Sequence, residues 1–151
     1  MSADDVKKLD EQAMRAWDKH DINGFIGLFD TSATWVDIGV PQPMKGKDAF
    51  RQYMQGWYTA FPDMRAKTIN RVVSETEVAA EVVFEGTHTG PLQGPPGTPA
   101  VPATGKKVIG KGTYFAKVRN GKIVEFHSYP DMAGTLMQLG LMGPPPSGAK
   151  K

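Results

Sequence analysis

Cysteine is absent from the chain, which excludes disulfide bonds, thiolate nucleophiles and cysteine-ligated metals. Histidine is scarce, and the three histidines show neither H-x-x-x-H nor H-x-H spacing. The sequence also lacks a glycine-rich phosphate-binding loop and the nucleophile elbow of hydrolases. We therefore expect no metal site, and no chemistry that depends on a thiol or on a phosphate loop.

Charge of one sign and long apolar runs are missing as well. Eighteen basic and 16 acidic residues give a net charge of +2, without a long basic run, so neither nucleic acid nor an anionic membrane is the expected partner. No apolar run approaches the roughly 18 residues that a membrane-spanning helix needs. The first residues, MSADDVKKLD, are acidic and polar where a signal peptide would be basic and then apolar. These features predict a soluble, cytoplasmic protein.

The chain is long enough for one domain with a sizeable core. Its 151 residues are 40% hydrophobic, which fits a single globular domain of common size. We place this domain at residues 1–142. The remaining residues 143–151, GPPPSGAKK, are predicted to be a disordered tail because proline, glycine and lysine bury too little surface to become ordered.

Helical spacing dominates the first third of the chain. A capping box at Ser2 and Asp5 opens an amphipathic helix that runs to about His20. Residues 21–30 read as a shorter second helix, and residues 47–61 as a third that ends before Pro62.

Alternating spacing dominates after Pro62. Strands are predicted at residues 64–75, 76–90, 107–119 and 122–131, in addition to an earlier one at residues 32–39. The Asn120-Gly121 turn between the last two is the strongest hairpin signal in the chain. A final helix follows at residues 132–142, with Gly140 as its C-terminal cap. The order predicts an α+β fold in which helices cover one face of a curved antiparallel sheet.

Polar side chains stand out at the ends of two predicted strands. In one strand, His88 extends an alternating buried row that begins at Val78. In the last strand, His127, Tyr129 and Asp131 share one face by the same alternation. Because a polar row on a core strand is costly unless something uses it, we expect the row to face a cavity. Residues 90–105, rich in proline and glycine, are then expected to form a loop over the cavity mouth.

Six short segments occur along the chain in a characteristic order: FPDMR, GTHTGPL, PATGKKV, RNGKIVEF, YPDMAG and QLGL. In this order and rough spacing they resemble the SnoaL-like polyketide cyclases of the NTF2-like superfamily. The resemblance implies a cone-shaped α+β barrel with a deep pocket between the sheet and three N-terminal helices. It also implies a homodimer or homotetramer formed through the sheet, and catalysis without a metal or an organic cofactor.

The same resemblance implies site residues. It places the acid-base aspartate of the cyclases at Asp131, while His127 stands where the cyclases commonly have tryptophan. We predict Asp131 and His127 as catalytic residues, with His88 or Tyr129 as donors that orient the substrate. The other residues predicted to bind substrate lie on the second half of the helical region and the strand before it: Trp35, Asp37, Tyr53, Trp57 and Phe61.

Each of these residues also has a structural interpretation. Asp131 directly precedes a helix and is a natural N-cap, and His88 is equally suited to being a hydrogen-bonded core histidine. The aromatic residues suit the core as well as a pocket wall, and Asp37 suits a turn.

Three functions stay open at this point. The first is cyclase-type aldol chemistry on a small, hydrophobic, carbonyl-bearing molecule. The second is binding of such a molecule without catalysis, and the third is isomerisation, as in ketosteroid isomerase-like enzymes, or hydrolysis. A second acid such as Asp37 in the pocket would favour the third.

Overall fold

The computed structural model describes residues 1–94 and 97–143. In these residues the chain forms four helices, α1 (Ala3–Asp18), α2 (Ile22–Ile26), α3 (Lys47–Ala60) and α4 (Met132–Gln138). It also forms six strands, β1 (Phe29–Asp37), β2 (Met44–Lys45), β3 (Arg65–Val73), β4 (Glu77–Thr87), β5 (Lys107–Arg119) and β6 (Lys122–Pro130). Apart from Gly143, the predicted tail lies outside the described residues.

The strands form one sheet in the order β2-β1-β6-β5-β4-β3. Neighbouring strands are antiparallel except β1 and β6, which run parallel, so the sheet is mixed where a wholly antiparallel one was predicted. Its first and last strands, β2 and β3, do not pair with each other, and the barrel is therefore open. The α+β class and the packing of α1 against the sheet are confirmed.

Local signals placed most element ends correctly. Ser2 and Asp5 form the predicted capping box, in which each side chain accepts a hydrogen bond from the other's backbone N–H. Asn120 and Gly121 have positive φ angles of 51° and 78°, as a type I′ hairpin turn requires. Gly140, with φ of 77°, ends α4 by letting the Leu141 N–H reach back to the preceding turn.

The predicted second helix is too long. It ends at Ile26, and Phe29 already begins β1 with Ile123 of β6 as its neighbour. Gly24 and Gly27 weaken a helix in this segment, while Phe29 is fully buried against other core rings from its strand position. Tertiary burial therefore decides the structure of residues 27–30.

A β-bulge at Val124 changes which face of β6 is buried. Lys117 of β5 lies opposite Glu125, but the next residue, Val118, lies opposite Ile123, which leaves Val124 without a partner in the ladder. Ile123 and Phe126 are both buried, although they are three positions apart. After the bulge, even-numbered residues of β6 therefore face the helices and odd-numbered residues face away.

A buried ionic group joins α1 to the sheet. Asp10 is 4% exposed and accepts hydrogen bonds from the Tyr114 hydroxyl at 2.7 and 2.8 Å and from Arg71 Nε at 2.6 Å. Removing one partner from such a group leaves an uncompensated charge or donor in the core.

We predict that Asp10→Ala lowers the free energy of unfolding by about 3–5 kcal/mol, because Arg71 and Tyr114 then lose their acceptor. Urea denaturation measures the change. Asp4→Ala on the same helix is the control, because the Lys8–Asp4 ion pair is largely exposed and should matter little. Equal effects of the two substitutions would contradict a structural role for the Asp10 group.

Candidate active site

A cavity of about 110 Å³ lies between the sheet and helices α1 and α3. Four residues predicted to bind substrate line it: Trp35, Asp37, Tyr53 and Trp57. Its remaining walls are mostly apolar and come from every long element, with Met14 and Trp17 on α1 and Val82 and Phe84 on β4 as examples. The structure thus brings together residues that are far apart in the sequence.

Asp37 is the one carboxylate among the described residues that line this cavity. Its side chain is 3% exposed and lines the cavity, as expected for a second acid in the pocket. Its Oδ1 also accepts the Gly39 N–H of the turn after β1, so the turn interpretation fits as well. Asp37 ends β1, where parallel pairing puts it beside Ser128 of β6. The end of the strand and its neighbour together fix the carboxylate at the cavity wall.

Three donors hold the Asp37 carboxylate. Oδ2 accepts hydrogen bonds from the Tyr53 hydroxyl at 2.6 Å and from the Ser128 hydroxyl at 2.5 Å. Oδ1 accepts one from the Gly39 N–H at 2.8 Å, in the turn that follows β1. The indole of Trp35 in turn donates to the Ser128 oxygen at 2.8 Å. Charge-assisted bonds of this kind are the strong ones, and together they fix the position of the carboxylate.

The hydroxyl of Tyr53 stays protonated in this setting. Burial raises the pKa of Tyr53 well above its ordinary value, and the neighbouring Asp37 charge raises it further. A phenol that keeps its proton and lies beside a carboxylate is a hydrogen-bond donor. The polar end of the cavity therefore combines one acid-base group with two hydroxyl donors.

The predicted polar row on β6 does not line this cavity. His127, Tyr129 and Asp131 do follow the predicted alternation, but Phe126, Ser128 and Pro130 line the cavity. His127 is one-third exposed and contacts Glu125 at 3.2 Å, and Tyr129 is 39% exposed. The bulge at Val124 explains why this row faces away from the cavity. Without the bulge, His127 and Tyr129 would lie on the same face of β6 as the buried Ile123.

Asp131 is an exposed helix cap in this structure. Its Oδ1 accepts the Gly134 N–H at 2.8 Å, so the N-cap interpretation is confirmed and the expectation of an inward-facing carboxylate is wrong. The catalytic roles predicted for Asp131 and His127 stay predictions. Asp131 and Tyr129 line a separate hollow on the sheet, beside Ile69 and Lys111, and not the apolar cavity.

His88 and Phe61 lie in a second buried cluster and not along the cavity. His88 is fully buried, its Nδ1 accepts the Thr104 N–H at 3.1 Å, and its ring lies 5.4 Å from that of Phe61. Burial lowers the pKa of His88, which favours the neutral ring. The inward-facing row from Val78 to His88 is confirmed. His88 lies in the core, but its Nε2 is buried without a hydrogen-bond partner among the described residues, so the interpretation as a hydrogen-bonded core histidine is met only at Nδ1.

Ser128 was missed by the sequence interpretation. Ser128 is two residues after Phe126 and therefore shares its face of β6, which could have indicated a polar residue in the cavity. Which face that is depends on the bulge, and the bulge was not predicted. Met14 and Met64 were also missed, because apolar residues at helical or loop positions look alike whether they fill a core or line a cavity.

Two broad features complete the description of the site. Within residues 1–94 and 97–143, no group of His, Asp and Glu side chains is arranged to hold a metal ion. In the same residues, no helix has the length and apolar character to cross a membrane.

A curved sheet with helices over one face and an apolar cavity between them define an NTF2-like fold. Among the solved structures that share it are two from Streptomyces species. AclR of Streptomyces galilaeus has a TM-score of 0.82 at 24% identity, covering 97% of this chain and 87% of its own. TsrD of Streptomyces laurentii has a TM-score of 0.79 at 19% identity, covering 94% of this chain and 99% of its own. At these identities they show the fold.

The family model for SnoaL-like polyketide cyclases matches residues 7–139, and the chain belongs to that family. Nogalonic acid methyl ester cyclase of Streptomyces nogalater is 32% identical over 97 residues, which are 63% of this chain and 67% of the relative. The aklanonic acid methyl ester cyclase DnrD of Streptomyces peucetius is 35% identical over 71 residues, 47% of this chain and 45% of its own length. The match with DnrD spans less than half of that protein.

The buried tyrosines predict a distinctive alkaline unfolding. Burial is the main reason that the pKa values of Tyr53, Tyr58 and Tyr114 are raised in the folded protein, with the charges of Asp37, Asp18 and Asp10 adding to the effect. The unfolded chain then releases these protons first, near pH 10. Stability is therefore unaffected by these groups below about pH 10 and falls above it, by about 1.4 kcal/mol per pH unit for each tyrosine.

Urea unfolding at several alkaline pH values, read together with tyrosinate absorbance, measures this loss. Tyr53→Phe should reduce the slope of the unfolding free energy against pH by about 1.4 kcal/mol per pH unit, and the contributions of Tyr58 and Tyr114 should stay. Tyrosinate absorbance that rises near pH 10 for all four tyrosines of the folded protein would contradict the burial of these hydroxyls.

Proposed function

We propose that this protein is a cofactor-independent acid-base enzyme that removes a proton next to a carbonyl in a small hydrophobic molecule, with Asp37 as the base. The observation that carries the proposal is the Asp37 carboxylate at the polar end of an otherwise apolar cavity. Membership of the SnoaL-like family supports cyclase-type use of that step. The names of two relatives, both methyl ester cyclases, agree with it.

The contacts of Asp37 suit a base that must act in one orientation. Hydrogen bonds from Tyr53, Ser128 and Gly39 fix both oxygens, so the carboxylate needs no rearrangement before it meets a C–H bond. The mostly apolar walls offer water few hydrogen-bonding partners, and a substrate that fills the cavity would displace it, which strengthens each electrostatic interaction within the site.

The hydroxyl groups supply the second requirement, a donor for the oxyanion. Asp37 takes the proton, and the electron pair of the C–H bond moves to the carbonyl oxygen to form an enolate. The neutral acid then accepts hydrogen bonds less strongly, which releases Tyr53 or Ser128 to donate to the enolate oxygen. In ring closure the enolate carbon attacks a second carbonyl of the same molecule, and Asp37 returns its proton to the new alkoxide.

Isomerisation begins with the same proton transfer and is the second candidate reaction. The buried Asp37 is the observation that favours it, since in an isomerase the same carboxylate returns the proton to a different carbon of the substrate. Binding without catalysis has support too, because every bond to Asp37 described above is also what a purely structural buried carboxylate would make.

We predict that Asp37→Asn lowers turnover by about 10²–10⁴-fold, because the amide cannot accept the proton. Asp131→Asn is the matched control and should keep turnover near the parent value, since asparagine caps a helix as well as aspartate does. Product formation from nogalonic acid methyl ester measures ring closure. Deuterium incorporation from D₂O into 2-tetralone, followed by NMR, measures proton removal by itself.

The two substitutions separate the candidate sites. Loss of turnover with Asp131→Asn and not with Asp37→Asn would restore the site predicted from the sequence. Binding of both compounds without turnover or exchange in the parent protein would favour the binding function.

We also propose that the protein forms a homodimer through the sheet face that points away from the helices. Five apolar side chains are exposed on β3, β5 and β6: Ile69, Val72, Ile109, Phe115 and Tyr129. Phe115 and Tyr129 contact each other edge to face across neighbouring strands, with ring centres 6.2 Å apart. Exposed apolar residues grouped on one face favour a protein partner. Glu81 and Lys111 lie beside Ile69 and Tyr129 on this face, and a second copy offers both the apolar and the oppositely charged groups.

Phe115→Glu should convert the dimer into a monomer, because it puts a charge in the middle of that face. Sedimentation velocity measures the mass, and Met137→Glu on exposed α4 is the control that should leave it unchanged. A parent protein that sediments as a monomer at high concentration would rule out the dimer.

A further inference from the structure

Phe84 lies across a glycine of the neighbouring strand. Phe84 of β4 is paired with Gly110 of β5, and a Cβ atom added to Gly110 would lie 2.1 Å from Phe84 Cε1 and 2.3 Å from Cζ. Gly110 is buried and has no positive φ angle, so its backbone conformation does not require glycine. Glycine is required here by the lack of space, because the ring of Phe84 fills the place where a side chain of residue 110 would be.

The same ring is part of the cavity wall. Phe84 lines the cavity and contacts Trp57 edge to face, with ring centres 6.1 Å apart. Its neighbour on the other side, Ala66 of β3, also lines the cavity. A ring displaced from Gly110 towards Ala66 would therefore occupy part of the present cavity.

The volume of the cavity makes the position of this ring important. About 110 Å³ is less than the roughly 150 Å³ of an engineered apolar cavity that holds one benzene molecule. Unlike that closed cavity, this one opens to the surface, so a fused ring enters it in part, and how deeply the ring enters depends on the side chains of the wall.

We propose that Phe84, seated on Gly110, determines the largest ring system that the cavity admits. This proposal rests on the same cavity as the proposed function, but it concerns binding and not proton transfer. Gly110 acts on specificity through Phe84, and Phe84 acts by direct contact with the ligand. Removing the Phe84 ring enlarges the cavity, and a side chain at residue 110 makes the cavity smaller because it displaces that ring.

Binding of 2-naphthol and of phenol to four proteins tests the proposal. The proteins are the parent, Phe84→Ala, Gly110→Ala and the double variant, and quenching of tryptophan fluorescence reports binding because Trp17, Trp35 and Trp57 line the cavity. Phe84→Ala should bind 2-naphthol about tenfold or more tightly than the parent, with a smaller change for phenol. Gly110→Ala should bind 2-naphthol about tenfold or more weakly. The double variant should behave like Phe84→Ala, because no ring remains to be displaced.

Gly112→Ala is the matched control on the same strand and the same face. A Cβ atom there would meet the Pro130 backbone at 3.1 Å and no side chain, so its effect should be the same with and without Phe84. An effect of Gly110→Ala that persists in the Phe84→Ala background would overturn the proposal. Unchanged 2-naphthol affinity in Phe84→Ala would overturn it as well.

Folding is checked by circular dichroism. If Gly110→Ala fails to fold while the double variant folds, the steric role of the Phe84 ring is supported directly, and Phe84→Ala then decides the size limit. The same binding series in an Asp37→Asn background separates this proposal from the proposed function. Loss of the base should remove proton exchange without changing the order of the 2-naphthol affinities.

Discussion

A single unpaired residue in β6 determines the composition of the candidate site. Val124 interrupts the ladder with β5, and from that point the inward face carries Phe126, Ser128 and Pro130. Only in this phase does Ser128 lie opposite Asp37 on the parallel neighbour β1 and accept a hydrogen bond from Trp35. A ladder without the bulge would place different side chains beside Asp37 and leave its carboxylate with fewer donors.

The polar end of the cavity is stable because its groups satisfy one another. A carboxylate that is 3% exposed would be costly alone, and Tyr53, Ser128 and the Gly39 backbone offset that cost. The same donors suit catalysis, since they are already in place where charge develops. The same residues therefore satisfy the structural requirement of a buried carboxylate and the chemical requirement of a positioned base.

Local signals predicted the order of elements well, and tertiary contacts explain what they missed. The capping box at Ser2, the Asn120-Gly121 turn and the buried row ending at His88 each depend on neighbours a few residues away, and each was found. The length of α2 and the phase of β6 depend on Phe29 and Val124 meeting strands distant in sequence. Asp37, Tyr53, Trp35 and Trp57 were predicted at the pocket from residue type and strand or helix position. Ser128 was not, because strict alternation from Ile123 puts it on the opposite face.

The two glycines on the inward face of β5 contribute to the cavity as much as the side chains that line it. On the inward face of β5, Gly110 and Gly112 precede Tyr114, which lies opposite Ser128, so the strand has a large side chain beside the polar end and none towards Pro130. Tyr114 is held by Asp10 and packs on Phe126. The ring of Phe84 fills only part of the space that the glycines leave. The cavity therefore exists where β5 changes from glycine to tyrosine, and its size depends on how far one aromatic ring occupies that gap.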